Sequence, residues 1–169
     1  MGTRVLIIII LKGKIITLYN HFDSYPTGLG FNLVEELIAL LKVYTLDELI
    51  VILSNIKIVS DEIPPTNEEI ELLKKYADPR VSSKFLTEWY CLLRECQGSI
   101  AKIIESGYAL ATEHESMDSA YEEADNRWAE FTYTIDFDNN NFDGVDGANT
   151  ITGLCMESIE KAYRRPCDD

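Results

Sequence analysis

Residues 5–20 read VLIIIILKGKIITLYN, two apolar runs separated by the dipeptide Lys12-Gly13. A Lys-Gly pair between runs rich in β-branched residues is typical of a two-residue hairpin turn. The sequence therefore predicts strands over residues 4–11 and 14–22. Because the first run is apolar at every position, we expect a central strand covered by helices on at least one side. A run of this length is far shorter than the roughly 20 apolar residues of a membrane-spanning helix.

Helix signals follow the hairpin. Three patterns of the capping-box type, in which Ser, Thr or Asn precedes Glu by three positions, predict helix starts at Asn32, Thr45 and Thr66. Further helices are predicted over residues 84–96 and 99–106, the second ending at Gly107. Strict alternation over residues 130–137 predicts a half-exposed strand, and three asparagines at 139–141 predict a turn into a short partner strand.

These elements define the predicted architecture. We expect an α+β domain over residues 1–147, with a small antiparallel sheet that is built on the N-terminal β-hairpin and covered by several helices. Residues 148–169 are expected to form a C-terminal helix or a tail packed on this domain, with the helix over residues 159–165. A chain of 169 residues is long enough to bury its own core.

The charge balance excludes two classes of partner. The chain has 15 Lys and Arg residues against 29 Asp and Glu residues, a formal net charge of −14. Such a surface repels nucleic-acid phosphates and anionic membranes, because binding either of them depends on basic side chains. We therefore expect neither nucleic acid nor a membrane as partner. A small-molecule ligand, a protein partner and a homo-oligomer remain open.

The sequence predicts no metal and no cofactor. The four cysteines, Cys91, Cys96, Cys155 and Cys167, form no C-x-x-C pair, and the chain has 2 histidines. Free thiols are typical of a reducing compartment, so we expect a cytoplasmic location. The acidic stretch that begins at Asp136 is similar in outline to a calcium loop, but it lacks the Gly and the final Glu that such a loop requires. A polar hairpin turn is the better interpretation.

The segment Asp23-Ser24-Tyr25-Pro26-Thr27-Gly28-Leu29-Gly30 is the best-marked motif. Pro26 fixes its own φ, while Gly28 and Gly30 permit a left-handed backbone or the close approach of another group. One interpretation is an ordinary connection between a strand and a helix. The other is a turn whose backbone amides face an anion, with polar side chains nearby. The chain lacks the G-x-x-x-x-G-K pattern of a phosphate-binding loop.

Arg4 stands beside a hydrophobic strand, where a charge needs a partner such as Asp23 or Asp136. We predict a site that binds a small polar or nucleotide-like ligand, formed by Arg4, Tyr19, His21, Asp23, Tyr25, Thr27, Gly28 and Gly30, and joined by Trp89, Gln97 and Asp136. Two alternatives remain open. One is a hydrolase or transferase with Asp23 or His21 as base, and the other is a protein-interaction module. The sequence assigns no catalytic residue.

The opening Met1-Gly2-Thr3-Arg4 and the later Tyr19-x-x-Phe22-Asp23-x-Tyr25-Pro26-Thr27-Gly28-x-Gly30 together resemble a family of uncharacterised proteins from phages, bacteria, large DNA viruses and fungi. These proteins open M-G-T-R and carry an aromatic-Asp-Gly-Tyr-Pro-Ser-Gly-x-Gly segment after the second strand. Trp128 and the strand Phe131-x-Tyr133-x-Ile135-Asp136 are similar to the family's closing strand. The resemblance covers about the first 45 residues and residues 85–137. It implies a viral or microbial source and no assigned activity. Ser24 departs from the pattern, because the family has Gly there.

Overall fold

The structure is a computed structural model that describes residues 3–78, 80, 85–112, 129–146 and 149–155. The hairpin forms as predicted, with β1 (Val5–Leu11) antiparallel to β2 (Lys14–Asn20). Lys12 and Gly13 have φ values of 50° and 71°, as a type I′ hairpin turn requires. The Asp138 carboxylate accepts a hydrogen bond from each of their amides, both at 2.7 Å, and so holds the turn.

Five helices and five further strands follow the hairpin in the described residues. A single wide helical turn, Pro26–Gly30, runs directly into the first helix. The helices are α1 (Phe31–Val43), α2 (Leu46–Ser54), α3 (Asn67–Leu73), α4 (Trp89–Leu92) and α5 (Ile100–Ser106). The remaining strands are β3 (Lys57–Val59), β4 (Tyr108–Leu110), β5 (Phe131–Asp136), β6 (Asn141–Asp146) and β7 (Asn149–Cys155).

Five strands form the main sheet in the order β2-β1-β5-β6-β7, and β3 pairs with β4 in a separate two-stranded sheet. The α+β class and the leading hairpin are confirmed. β1 and β5 are parallel, whereas the other neighbours in the main sheet are antiparallel, so this sheet is mixed. The parallel pair arises because β1 and β5 are separated by a long connection that contains the helices, and such a crossover returns the chain in the same direction.

The core lies between one face of the main sheet and the helices. Val5, Ile7 and Ile9 of β1 point to this face and pack in one cluster with Leu33 and Leu37 of α1. Burying one such side chain contributes about 1.5–3 kcal/mol. On the other face of β1, Leu6 and Ile8 are also fully buried. The central position predicted for the first strand is therefore confirmed.

Two of the three predicted helix starts are confirmed as complete capping boxes. Thr45 and Glu48 exchange hydrogen bonds at the start of α2, and Thr66 and Glu69 do so at the start of α3. The third was wrong, because α1 continues from the Pro26–Gly30 turn without a side-chain cap. Asn32 consequently lies inside the helix and not at its cap. The predicted end at Gly107 is confirmed, since this residue terminates α5 with a φ of 75°.

The single helix predicted over residues 84–96 was also wrong. The described part of this range forms three short turns of helix, Phe85–Thr87, α4 and Arg94–Cys96. The break before α4 falls at Glu88, whose backbone is extended. One tertiary hydrogen bond competes with a continuous helix here: the Asp78 amide donates to the Cys91 carbonyl at 3.1 Å, and a continuous helix would use that carbonyl for the amide four positions on. The Trp89 side chain is fixed separately, because its indole donates to the Ile63 carbonyl at 2.6 Å.

The C-terminal region is described only as far as residue 155. β7 pairs with β6 along its length, so residues 149–155 extend the main sheet. The helix predicted over residues 159–165 lies outside the described residues, as do Trp128 and Cys167. The division at residue 147 stays a prediction. Within the described ranges, no helix has both the length and the apolar character needed to cross a bilayer.

Candidate functional site

The turn after β2 is held by its own backbone. The Tyr25 carbonyl accepts hydrogen bonds from the Gly28 amide at 2.9 Å and from the Gly30 amide at 3.2 Å. The Asp23 carbonyl accepts one from the Leu29 amide at 3.1 Å. These amides are the donors that an anion-binding turn would offer. Because the turn itself uses them, a bound anion would have to be met by side chains.

Gly28 and Gly30 serve close packing inside the protein. A Cβ added at Gly28 would lie 2.7 Å from the Asp23 carbonyl oxygen, and one at Gly30 would lie 3.0 Å from the Tyr133 ring. The left-handed residue of the turn is Asp23, with a φ of 48°. The positive φ therefore falls one position before Ser24, the residue at which the chain departs from the family pattern.

Ser24 anchors the turn from within. It is fully buried, and its carbonyl accepts a hydrogen bond from the Tyr133 hydroxyl at 2.9 Å. Its own hydroxyl accepts from the Asn20 amide group at 3.2 Å, and that amide also donates to the Phe22 carbonyl at 2.8 Å. Sequence analysis missed Asn20 and Tyr133. Only their positions could have indicated a role in the turn, because each lies on a strand that borders it.

The predicted residues Arg4, Tyr19 and His21 lie near one another where β1 begins and β2 ends. The Tyr19 and His21 ring centroids are 5.9 Å apart. Burial raises the pKa of Tyr19, Tyr90 raises it further, and the positive charges of Arg4 and Arg94 oppose the shift. Tyr19 is therefore a neutral phenol at physiological pH.

Tyr25 and Thr27 lie on the exposed side of the turn. Tyr25 is half exposed and packs edge-to-face against Phe131, with the ring centroids 5.9 Å apart. Thr27 is exposed, as is Phe22 before the turn. Of these two predicted site residues, Tyr25 thus packs partly onto β5, and Thr27 faces solvent.

Two of the three additional residues lie away from this region. Asp136 pairs with Ile10 at the far end of β1, six positions or about 20 Å from Arg4, which is too far for an ion pair between them. Its carboxylate accepts hydrogen bonds from Asp138 and Asn139 in the turn before β6, as a polar hairpin turn requires. Trp89 is buried, and its indole N–H is bonded to Ile63. Gln97 does lie beside the turn.

A cleft of about 870 Å³ opens next to the turn. It is walled by the end of β2, the first turns of α1 and the segment that carries Gln97. Of the predicted site residues it contains Asp23 and Gln97. Its lining includes five carboxylates and three cations, Asp23, Glu35, Glu36, Asp78, Glu95, Arg80, Arg94 and Lys102.

Most of these charges are already paired. Arg80 binds the Asp78 carboxylate through two nitrogens at 2.9 and 2.8 Å, and this guanidinium lowers the pKa of Asp78 to about 2. Lys102 pairs with Glu95 at 2.5 Å. Glu36 accepts hydrogen bonds from the Ser99 hydroxyl and the Ala101 amide. These groups line the walls of the cleft, and their hydrogen-bonding capacity is already used within the protein.

Arg94 is different, because the groups that it hydrogen-bonds are neutral, although its charge, after that of Arg80, also helps to lower the pKa of Asp78. Its guanidinium donates to the Gln97 side-chain oxygen at 2.9 Å and to the Asn20 side-chain oxygen at 3.4 Å. Among the described residues, no carboxylate lies within ion-pair distance of it. Sequence analysis did not select Arg94, which carries no motif and is recognisable only once β2 and the Arg94–Cys96 turn are placed together.

Within the described ranges, no group of three His, Cys, Asp or Glu side chains is arranged to hold a metal ion. Cys91 and Cys96 are buried free thiols, and burial raises the pKa of Cys96, which disfavours the reactive thiolate. The Ser24 hydroxyl is buried in the Asn20 and Phe22 hydrogen bonds, so it is not placed for activation by His21.

No protein-family model, curated protein or solved structure matches this chain significantly.

Proposed function

We propose that the cleft beside the 23–30 turn binds a small polar ligand that carries both a negative and a positive group. The observation that supports it is the Arg94 guanidinium, held at the cleft by two neutral side-chain oxygens. A guanidinium in this setting can bind a carboxylate or phosphate through charge-assisted hydrogen bonds. Gln97 and Asn20 orient it for that purpose.

The acidic groups of the cleft select the other end of the ligand. Five carboxylates against three cations leave two negative charges in excess. Asp23 and Glu35 are exposed, and neither takes part in the ion pairs described above. They can accept hydrogen bonds from an ammonium or amine group. An amino-acid-like ligand satisfies both requirements. A multiply charged nucleotide would be repelled by the excess carboxylates, and the turn amides are not available to bind its phosphate.

The proposal is tested by a binding screen with the twenty amino acids and the nucleoside monophosphates, read by calorimetry on the purified chain. Arg94→Gln is expected to weaken binding of the selected ligand by about 10- to 100-fold, since hydrogen bonds to charged groups contribute about 1.5–3 kcal/mol. Arg80→Gln is the matched control, because it removes the same charge from the same cleft while its partner is Asp78.

If Arg94→Gln and Arg80→Gln weaken ligand binding equally, the loss of affinity comes from the change in overall charge, and the proposed role of Arg94 is contradicted. If the Asp23→Asn variant folds and binds the ligand with unchanged affinity, the turn is not part of the binding site. The alternative in which Asp23 or His21 acts as a base predicts instead that the selected compound is turned over, which the same calorimetric experiment detects as continuing heat after saturation.

A further inference from the structure

An exposed aromatic residue lines the cleft beside the turn. Phe22 is 70% exposed, and it belongs to the same cleft as Arg94 and Asp23. The carboxylate and ammonium contacts of the proposed ligand do not use it. A single exposed apolar residue is common on protein surfaces and needs no explanation by itself. What distinguishes Phe22 is its position next to the groups of the proposed site.

One side chain, that of Asn20, is bound to both Phe22 and Arg94. Its amide group donates a hydrogen bond to the Phe22 carbonyl at 2.8 Å, and its oxygen accepts one from the Arg94 guanidinium at 3.4 Å. Because both bonds end on the same carboxamide, the Arg94 Nη1 atom and the Phe22 carbonyl oxygen lie no more than about 9 Å apart. A single ligand of amino-acid size can therefore contact both residues.

The backbone at Phe22 is held in place although the residue is exposed. The Phe22 carbonyl also accepts a hydrogen bond from the hydroxyl of the fully buried Ser24 at 3.4 Å. The carbonyl of the next residue, Asp23, accepts one from the Leu29 amide at 3.1 Å. A side chain on a fixed backbone loses less conformational freedom when a ligand covers it, so less of the contact energy is cancelled.

Leu29 adds a second apolar side chain to the cleft. It lies directly against Gly98, where an added Cβ would come within 2.9 Å of the Leu29 Cδ1 atom. Gly98 has a φ of 80°, so the backbone also favours glycine at this position. Among the described residues that line the cleft, Phe22 and Leu29 carry the apolar side chains, and apart from Gly98 the others are polar or charged.

We propose that Phe22 is a specificity-determining residue of this cleft and selects an amino-acid-like ligand that has an apolar side chain. The inference rests on the proposed function, in which Arg94 binds the ligand's carboxylate while Asp23 and Glu35 accept hydrogen bonds from its ammonium group. The ligand's side chain then lies against the Phe22 ring, and the contact removes apolar surface of both partners from water.

The surroundings of the ring favour an apolar partner over a cationic one. Among aromatic side chains Trp binds cations best, and the attraction is weak at an exposed site. The exposed carboxylates of Asp23 and Glu35 also compete with the ring for any cationic group. An apolar side chain has no such alternative in the cleft, because the described lining offers it Phe22 and Leu29.

The test compares three free amino acids that share the carboxylate and ammonium groups and differ in the side chain. Alanine has one methyl group, norleucine has a four-carbon apolar chain, and lysine has the same chain ended by an ammonium group. Their affinities for the full chain are measured by calorimetry. We expect norleucine to bind about 3- to 10-fold more tightly than alanine, the effect of covering about half of one large apolar side chain.

Three variants locate the contact. Phe22→Ala is expected to lower the ratio of norleucine affinity to alanine affinity to below about 2, whereas Phe22→Leu keeps an apolar side chain and most of the ratio. Val43→Ala is the matched control, because Val43 is 72% exposed and is not among the residues that line the cleft. Since Phe22 is exposed, its substitutions should leave the thermal unfolding midpoint unchanged, which separates the effect from misfolding.

The inference is overturned, while the proposed function stands, if alanine and norleucine bind with equal affinity or if Phe22→Ala and Val43→Ala give the same ratio. It is also overturned if Phe22→Leu weakens the binding of lysine and not of norleucine, since the ring would then bind a cation. If none of the three amino acids binds, the proposed function fails and this inference fails with it.

Discussion

At the scale of single residues, the turn after β2 depends on contacts that leave no room for a side chain. Gly28 faces the Asp23 carbonyl, and Gly30 faces the Tyr133 ring. Asp23 itself adopts a left-handed backbone, which Asp tolerates better than most residues. The turn is thus shaped by backbone packing, and of the groups in the proposed site Asp23 belongs to the turn while Arg94 and Glu35 lie on neighbouring elements.

Gly28→Ala tests this packing. The added Cβ would meet the Asp23 carbonyl oxygen at 2.7 Å, so the backbone of the turn has to move. We expect a loss of about 1–3 kcal/mol in the free energy of unfolding, measured by urea denaturation. Thr27→Ala, next to it and exposed, is the control and is expected to change stability by less than about 0.5 kcal/mol. Equal effects of the two substitutions would contradict the packing role of Gly28.

At the scale of elements, the capping boxes are signals that sequence and structure share. The Thr66 hydroxyl accepts a hydrogen bond from the Glu69 amide at the start of α3, and the Glu69 carboxylate accepts one from the Thr66 amide at 2.9 Å. Thr66→Ala is expected to lower the free energy of unfolding by about 1 kcal/mol. Thr27→Ala is the matched comparison at an exposed threonine. A Thr66 variant as stable as the parent in thermal unfolding would show that the box is dispensable.

Glu69 adds a pH dependence to the same helix. Lys57 donates to its carboxylate at 2.6 Å, and this hydrogen bond together with that from Thr66 lowers the pKa of Glu69 below its ordinary value of 4.5. A lowered folded-state pKa contributes stability above the unfolded-state value, and that contribution is lost as the pH falls through the folded-state pKa. The stability difference between the parent and Glu69→Gln should therefore be largest at neutral pH and shrink below about pH 4.5.

The control for this pH series is Glu71→Gln, because Glu71 is exposed on the same helix. Its stability difference from the parent should stay small across the series. A Glu69 difference that is independent of pH would contradict the ion-pair explanation.

Local signals predicted these elements well, and tertiary contacts explain the failures. The hairpin, both threonine capping boxes and the end at Gly107 follow from residues adjacent in sequence. The continuous helix predicted over residues 84–96 was wrong because the Cys91 carbonyl accepts a hydrogen bond from the distant Asp78 amide, a contact that the local sequence does not signal. For the same reason sequence reasoning selected Asp23 and Gln97 but missed Arg94, whose setting depends on Asn20 across the fold.

At the scale of the whole molecule, the hairpin borders the proposed site. The end of β2 leads into the turn beside the Arg94 cleft. The parallel pairing of β1 with β5 leaves β2 as the outermost of the described strands on its side of the main sheet.

The net charge of −14 sets a further expectation for the whole chain. Self-repulsion destabilises a compact state of high charge, and 0.1 M salt largely screens the repulsion between exposed charges more than about 10 Å apart. The thermal unfolding midpoint should therefore rise between low salt and about 0.15 M sodium chloride. A midpoint that falls over this range would mean that attractive surface ion pairs outweigh the repulsion.

The most direct measurement of the proposed function is nuclear magnetic resonance mapping of the ligand selected by the amino-acid and nucleotide screen. The proposed function predicts that the largest shifts occur at the Arg94 side-chain Nε resonance and at the Asp23 and Gln97 amides, and that Arg94→Gln abolishes them while Arg80→Gln preserves them. Shifts confined to residues outside the cleft, or unchanged by Arg94→Gln, would contradict it.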